Sequence, residues 1–211
     1  MSLMTNPAEI EEKSFEIITE KLAGREFDPE NISVIKRVIH TTADFDFAGN
    51  LVFSEGVCSI AKDVLRKGAC IVTDTQMARA GINKKTAEKL GVEIHCFIDS
   101  PEVVETARAS GYTRARAAVD LAAKKLEGSL IFAVGNAPTA LIRIHELISE
   151  GVLHPSVIVA VPVGFVNVVE SKELILGLGI PHIVAKGQKG GSNVAAAIIN
   201  ALLYDTTERR N

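Results

Sequence analysis

Three observations predict an α/β fold, a mostly parallel sheet flanked by helices on both faces, with an N-terminal helical appendage. Short β-branched runs bounded by turn residues recur along the chain, and amphipathic segments of helical length separate them. The first third instead carries helical patterns ahead of the first strong run. Strands covered on both faces read as continuous apolar runs rather than as alternation, which is the pattern found.

Residues 8–22 carry the first helical pattern. Asp28 as cap and Pro29 at the first position open a second helix through about Thr41. In it Ile32, Val34, Ile35, Val38 and Ile39 form one stripe, while His40 shares the other face with Ser33, Lys36 and Arg37, away from apolar neighbours. Residues 45–53 read as a mixed connector before a helix over 54–67. Strands are expected at 69–73, 94–98, 130–134 and 157–161, with one more at 181–185. Helices are expected at 113–126, 137–150 and 194–203, and Glu170 and Ser171 read as capping residues ahead of Lys172, with a rim contact as the alternative.

The 211 residues are 47% hydrophobic and 23% charged, which fits a single domain over 1–211 with a sizeable core. A formal net charge of -3 implies no global attraction to nucleic acid or to an anionic membrane, so any anion site must be local. Cys58, Cys70 and Cys96 are odd in number and form no Cys-x-x-Cys pair. They read as buried small residues in a reducing cytoplasm, with neither a disulfide framework nor a zinc site. His95, His145, His154 and His182 show no ligand-like spacing, so no metal is expected. No apolar run is long enough to span a bilayer, the first five residues lack a leader pattern, and Met1–Leu3 read as an addition ahead of Met4.

In open parallel sheets the loops at the carboxyl ends of the strands carry the site. Four stand out: Asp74-Thr75-Gln76-Met77, Gly135-Asn136-Ala137-Pro138-Thr139, Pro162-Val163-Gly164-Phe165, and the run from Lys186 to Ser192. In the last, Gly190, Gly191 and Ser192 would point backbone N–H groups outward at a helix start beside Lys186 and Lys189. That is an anion cradle, although a flexible turn with a serine cap explains the same residues. It lacks both the Walker and the dinucleotide glycine spacing.

Arg114 sits in a first helical turn, where opposing the helix dipole costs about 0.3–1 kcal/mol that a bound anion would offset. Ser14 is either bonded back to the Ile10 carbonyl or exposed to a pocket. Asn136 either caps a helix or orients a ligand. His40, in a last helical turn, is either a solvated surface histidine or a proton donor, since the carbonyl ends favour its imidazolium while Lys36 and Arg37 oppose it.

With these residues in view, the chain resembles the precorrin-8X methylmutase family and its cobalt-precorrin-8 counterpart. The resemblance rests on Lys13-Ser14-Phe15, Val38-Ile39-His40, Asp74 with Met77 and Gly81-Ile82, Thr113-Arg114, the Gly135 to Leu141 run, Pro162 to Phe165, Glu170-Ser171-Lys172 and Gly190-Gly191-Ser192. It implies an α/β homodimer with sites near the subunit interface and no redox or nucleotide cofactor. The implied reaction moves a methyl group from carbon 11 to carbon 12 of a tetrapyrrole, a formal 1,5-sigmatropic shift giving hydrogenobyrinic acid or its cobalt-containing equivalent.

By the same resemblance His40 is the catalytic acid, with Ser14 and Arg114 at substrate-contacting positions, and Asp74, in a matching segment, is a further substrate-binding candidate. A polycarboxylate ring needs donors around its rim, which Arg114, Asn136, Lys186, Lys189, Gly190, Gly191 and Ser192 could supply. The chain departs from the family with Thr41-Thr42-Ala43 in place of a small residue, Cys and Gly, and with Gln188-Lys189 where two arginines are common. A non-catalytic corrinoid carrier and a generic nucleotide-binding protein are the other readings. A carrier needs anion contacts but no positioned acid, so His40 discriminates.

Overall fold

A computed structural model describes residues 4–208, and the reading of Met1–Leu3 lies outside them. Six strands form one sheet: β1 (Leu51–Phe53), β2 (Cys70–Thr73), β3 (Glu93–His95), β4 (Leu130–Val134), β5 (Val157–Ala160) and β6 (His182–Ala185). Their order is β1-β6-β5-β4-β2-β3, and every neighbouring pair is parallel except β1 with β6. All five expected strands are present, although β3 is short because Phe97 turns away to pack against one of the cores.

Helices α1 (Pro7–Leu22), α2 (Ile32–Thr42), α3 (Phe47–Asn50), α4 (Val57–Arg66), α5 (Gln76–Gly81) and α6 (Lys84–Lys89) precede β3. Helices α7 (Pro101–Ser110), α8 (Arg114–Lys125), α9 (Pro138–Ser149), α10 (Val168–Leu176) and α11 (Ser192–Glu208) follow it. Alternate strand residues serve two cores. Ile71, Ile131, Ala133, Val157, Val159 and Ile183 face α2, α4 and α11, whereas Val72, Phe132, Val134, Ile158 and Val184 face α8, α9 and α10.

Four expectations are corrected. The connector over 45–53 holds α3 and the edge strand β1, which hydrogen bonding to β6 creates despite a sequence too short for a strand pattern. Asp28 and Pro29 form a turn, with the Asp28 carboxylate accepting from Glu30 N–H at 2.9 Å, and α2 starts only at Ile32. The stripe Val34, Ile35, Val38 and Ile39 is buried against the main core, so α2 is an integral layer and only α1 is an outer appendage. Glu170 and Ser171 do not cap: α10 starts at Val168, and Ser171 and Lys172 are buried.

The chain leaves β2 toward the β3 edge but passes from β4 through β5 to β6 in the other direction, so the switch point lies between β2 and β4. Buried Asp74, just past β2, spans it. Its carboxylate accepts from the N–H groups of Gly135 (2.9 Å), Asn136 (2.8 Å) and Ala137 (2.7 Å), holding the turn that leads from β4 into α9. Burial pushes the Asp74 carboxyl above its ordinary pKa, against the pull of those three donors.

The neighbouring turns stack backbone on backbone. Gly191 N–H donates to the Val161 carbonyl at 2.9 Å, and a Cβ on Gly135 would come within 2.7 Å of the Gly191 carbonyl oxygen and Ser192 Cα. A Cβ on Gly190 would overlap the Val161 carbonyl oxygen. Gly190→Ala is therefore expected to lower the unfolding free energy by roughly 1–3 kcal/mol in urea titrations, because backbone cannot yield as a side chain would.

Helices α8 and α9 are joined by ions. Glu146 accepts from Arg116 at 2.6 Å and from Arg143 at 2.8 Å, and Arg143 also reaches Asp120 at 2.7 Å. The Arg116 hydrogen bond first, then Arg143, holds the Glu146 carboxyl down to about 2. A depressed carboxyl stabilises the fold above its unfolded value near 4.5 and loses that contribution as pH falls toward 2. Glu146→Gln should show a shallower fall in melting temperature between pH 4.5 and 2 than the parent.

Candidate active site

Antiparallel β1 places the segment that precedes it at the same edge of the sheet as the carboxyl ends of the other five strands. Lys186 N–H, just past β6, donates to the Asn50 carbonyl at 2.8 Å, which ties the two together. Helix α2 ends in this region. Ala43, the residue after its last turn, is left-handed at φ 54° and turns the chain toward Asp44. That conformation usually calls for glycine.

His40 is exposed in the last turn of α2. It is not free of apolar neighbours, as its helical face suggested: its ring stacks on Phe15 of α1, centroids 5.1 Å apart and planes 26° apart. The Arg37 guanidinium also lies 4.9 Å over the Phe15 ring and is held by Glu11 at 2.9 Å. Helix α1 thus covers part of the polar face of α2 and orients the imidazole. Ser14, beside Phe15, donates to the Ile10 carbonyl at 2.7 Å, the local option of the two open to it.

The glycine-rich loop differs from an open cradle beside two free lysines. Lys189 Nζ is paired with both Asp44 and Asp46 at 2.6 Å, and Asp44 foremost raises its pKa. The link binds the loop to the segment that follows His40. Gly191 N–H points into the fold toward Val161 rather than outward, because the loop lies on β5. Lys186 is exposed, and Ser192 is buried with its hydroxyl 2.8 Å from that of Thr75.

Lys172, 1% exposed, reaches the same loop from below. Its ammonium donates to the carbonyls of Gly187 (2.7 Å) and Lys189 (2.9 Å), and burial pushes its pKa down to about 8. A signal for this existed, since Lys172 stands at i+4 from buried Val168 and i−3 from buried Ile175, on the apolar side of α10. Thr75, Phe15 and the Asp44–Lys189 contact had no comparable local signal.

Asn136 is exposed and does not cap α9: Ala137 is the cap residue, and Asp74 holds its N–H and those of the two residues before it. Asp74 accordingly shapes the turn from beneath and has both carboxylate oxygens occupied by backbone. Thr113, which caps α8, meets Thr139 of α9 hydroxyl to hydroxyl at 2.8 Å, so Arg114 stands beside the Asn136 turn. Exposed Arg114 reaches Asp99 at 3.3 Å.

Linked contacts therefore run along the edge from His40 through Lys189, Ser192 and Asp74 to Asn136 and Arg114. The starts of α8, α9 and α11 bring their positive ends to that rim. Between them stand exposed apolar side chains: Met77, Tyr112, Val163, Phe165 at 85% exposure and Val166 at 77%. An edge where helix starts, Arg114 and Lys186 stand among bare apolar groups can hold a broad apolar molecule that carries anionic substituents.

The family model described as Precorrin-8X methylmutase matches residues 9–205. The cobalt-precorrin-8 methylmutase of Salmonella typhimurium is 45% identical over 99% of this chain and 100% of its own. The precorrin-8X methylmutase of Pseudomonas aeruginosa is 36% identical over 89% of this chain and 88% of its own. A crystal structure of the precorrin-8X methylmutase of Thermus thermophilus superposes with TM-score 0.87 at 37% identity, covering 95% of this chain and 98% of that one. With the match spanning both layers of helices and every segment of the rim, the chain belongs to the precorrin-8X methylmutase family and is an isomerase of cobalamin biosynthesis.

Proposed function

We propose that this protein moves the methyl group on carbon 11 of precorrin-8, metal-free or already carrying cobalt, to carbon 12, giving hydrogenobyrinic acid or its cobalt-containing equivalent. The observation that carries this reading is the exposed His40, fixed by Phe15 at the end of a rim that suits a polycarboxylate macrocycle. The shift is intramolecular and needs no nucleophile from the protein. It needs a proton delivered to a ring nitrogen, which withdraws electrons from the conjugated system and lets the methyl group migrate, and a pocket that holds the ring in a reactive shape.

In this proposal His40 is the general acid. Arg114, Lys186, Asn136 and the backbone around Gly190 and Ser192 hold the carboxylates, Ser14 lies at the macrocycle's edge, and Phe165 and Val166 cover its apolar face. Lys189 contributes by pinning the loop, and Asp74, Gly191 and Lys172 act through the backbone they hold. Because these groups form an open edge in one protomer, we propose a homodimer whose second subunit closes the site. The bare Phe165-Val166 loop favours this.

Incubation with precorrin-8X and with its cobalt form, followed by visible absorption, tests the reading: a corrin spectrum should appear with one of them. His40→Ala should cut turnover at least 100-fold while product binding stays measurable. Undiminished turnover would remove His40 from the acid role.

Lys172→Met should weaken product binding roughly tenfold, since the carbonyls of Gly187 and Lys189 lose a charged donor. Keeping a buried ammonium whose pKa falls from 10.5 to about 8 costs about 3 kcal/mol, and the native state sheds the proton first. That cost is complete below pH 8 and fades as pH rises to 10.5. Denaturant titrations across this window should show the parent gaining stability relative to Lys172→Met.

A further inference from the structure

We propose that Cys70, Glu93 and His95 form a binding site for a divalent transition-metal ion of the zinc type, separate from the corrin rim. The parallel register pairs Cys70 with Glu93 and Val72 with His95, so the three side chains stand on one face of the β2–β3 pair. The Cys70 sulfur, a Glu93 oxygen and a His95 ring nitrogen lie within 4.8 Å of one another, and His95 Nε2 is 2.9 Å from Glu93 Oε2. Tetrahedral zinc separates its ligand atoms by roughly 3.3–3.8 Å, so closure needs shifts of about 1 Å. Glu93, with a 70% exposed side chain, can supply them, and Phe97 stacks on His95 at 5.7 Å and 7° and holds the ring.

The donor set selects the ion. A thiolate and an imidazole favour zinc, cobalt and their neighbours over magnesium or calcium. Cys70 is half-buried, and burial together with the Glu93 charge raises its pKa, so the unoccupied site keeps its thiol proton. Binding exchanges that proton for the metal: the S–H bond breaks, the S–M bond forms, and one proton is released to solvent. Thiolate and carboxylate then balance the two positive charges of the ion. Three protein ligands leave the fourth position for water.

Cys70 opens β2 four residues before Asp74 and His95 pairs with Val72 two residues before it, so the ligands lie roughly 7–13 Å below the level of Asp74 at about 3.3 Å per residue. The metal would fasten the three-residue edge strand β3 to β2. No single stretch of sequence announces the site, because Cys70 lies 23 residues before Glu93.

The test titrates the metal-free full-length protein, without a polyhistidine tag, with Co²⁺. One equivalent should produce a near-ultraviolet thiolate-to-cobalt band, stoichiometric Zn²⁺ should remove it, and Mg²⁺ should produce nothing. Zinc at a hundredfold excess over its Kd should raise the melting temperature by roughly 5–10 °C. Cys70→Ser should abolish the band and Cys96→Ser should leave it unchanged. His95→Gln and Glu93→Gln, on an exposed edge, should each weaken binding at least tenfold. Absence of the band at millimolar Co²⁺, its survival in Cys70→Ser, or parent-like affinity in both His95→Gln and Glu93→Gln would overturn the proposal.

Discussion

Both oxygens of Asp74 are committed to the N–H groups of Gly135, Asn136 and Ala137, across the gap where the chain's direction of travel through the sheet reverses. Each side of this contact solves a problem for the other. A carboxylate with 6% exposure needs several donors, and the peptide groups of the turn between β4 and α9 have no partner in either element. Their joining draws Gly135 against Gly191 and Ser192, which lie in turn on the end of β5. Three turns from distant parts of the sequence thereby form one surface, at whose margins Asn136 and Ser192 stand.

The parallel sheet was legible because its strands are buried on both faces and carry unbroken apolar runs, as in Val157-Ile158-Val159-Ala160. The stripe of α2 was legible for the same reason, through its period. What escaped depends on partners far along the chain. Leu51-Val52-Phe53 becomes a strand only because β6 offers an open edge, and nothing within residues 8–22 reveals that Phe15 lies on His40. Asp28-Pro29 carried the right residue types for a helix start, yet a turn satisfied the same groups one step earlier. Lys172 escaped because Glu170 and Ser171 were read as caps, although Lys172 stands on the apolar side of the period that starts at Val168. Of the candidate site, the loops were legible from their place after the strands, whereas the commitment of Asp74 and Lys189 to internal partners was not.

The net charge of -3 and the expectation of an anionic ligand are reconciled by where positive potential resides. Lysine supplies less of it than residue counts suggest, since Lys189 is matched by two aspartates and Lys172 is turned inward. Peptide dipoles at the starts of α8 and α11 add a contribution that neither titrates nor reorients, whereas at α9 the Asp74 carboxylate offsets it. Arg114 and exposed Lys186 add mobile charge at the margins. Such an arrangement suits the proposed polycarboxylate substrate locally, while a net charge of -3 gives no global attraction to polyanions.

Helix α1 buries only Ile18 and Leu22 and packs chiefly on α2, while α2 is anchored in the main core by four buried side chains. The two partners of the Phe15–His40 stack therefore belong to regions of very different local stability. Local unfolding begins where buried apolar area is smallest, so α1 can detach while the sheet and α2 stay intact. Each such opening leaves the imidazole in place on its helix but free to rotate. In the proposed reaction the orientation of His40 would then follow the docking equilibrium of a peripheral helix, a quantity that mutations on the outer face of α1 can tune without touching the rim.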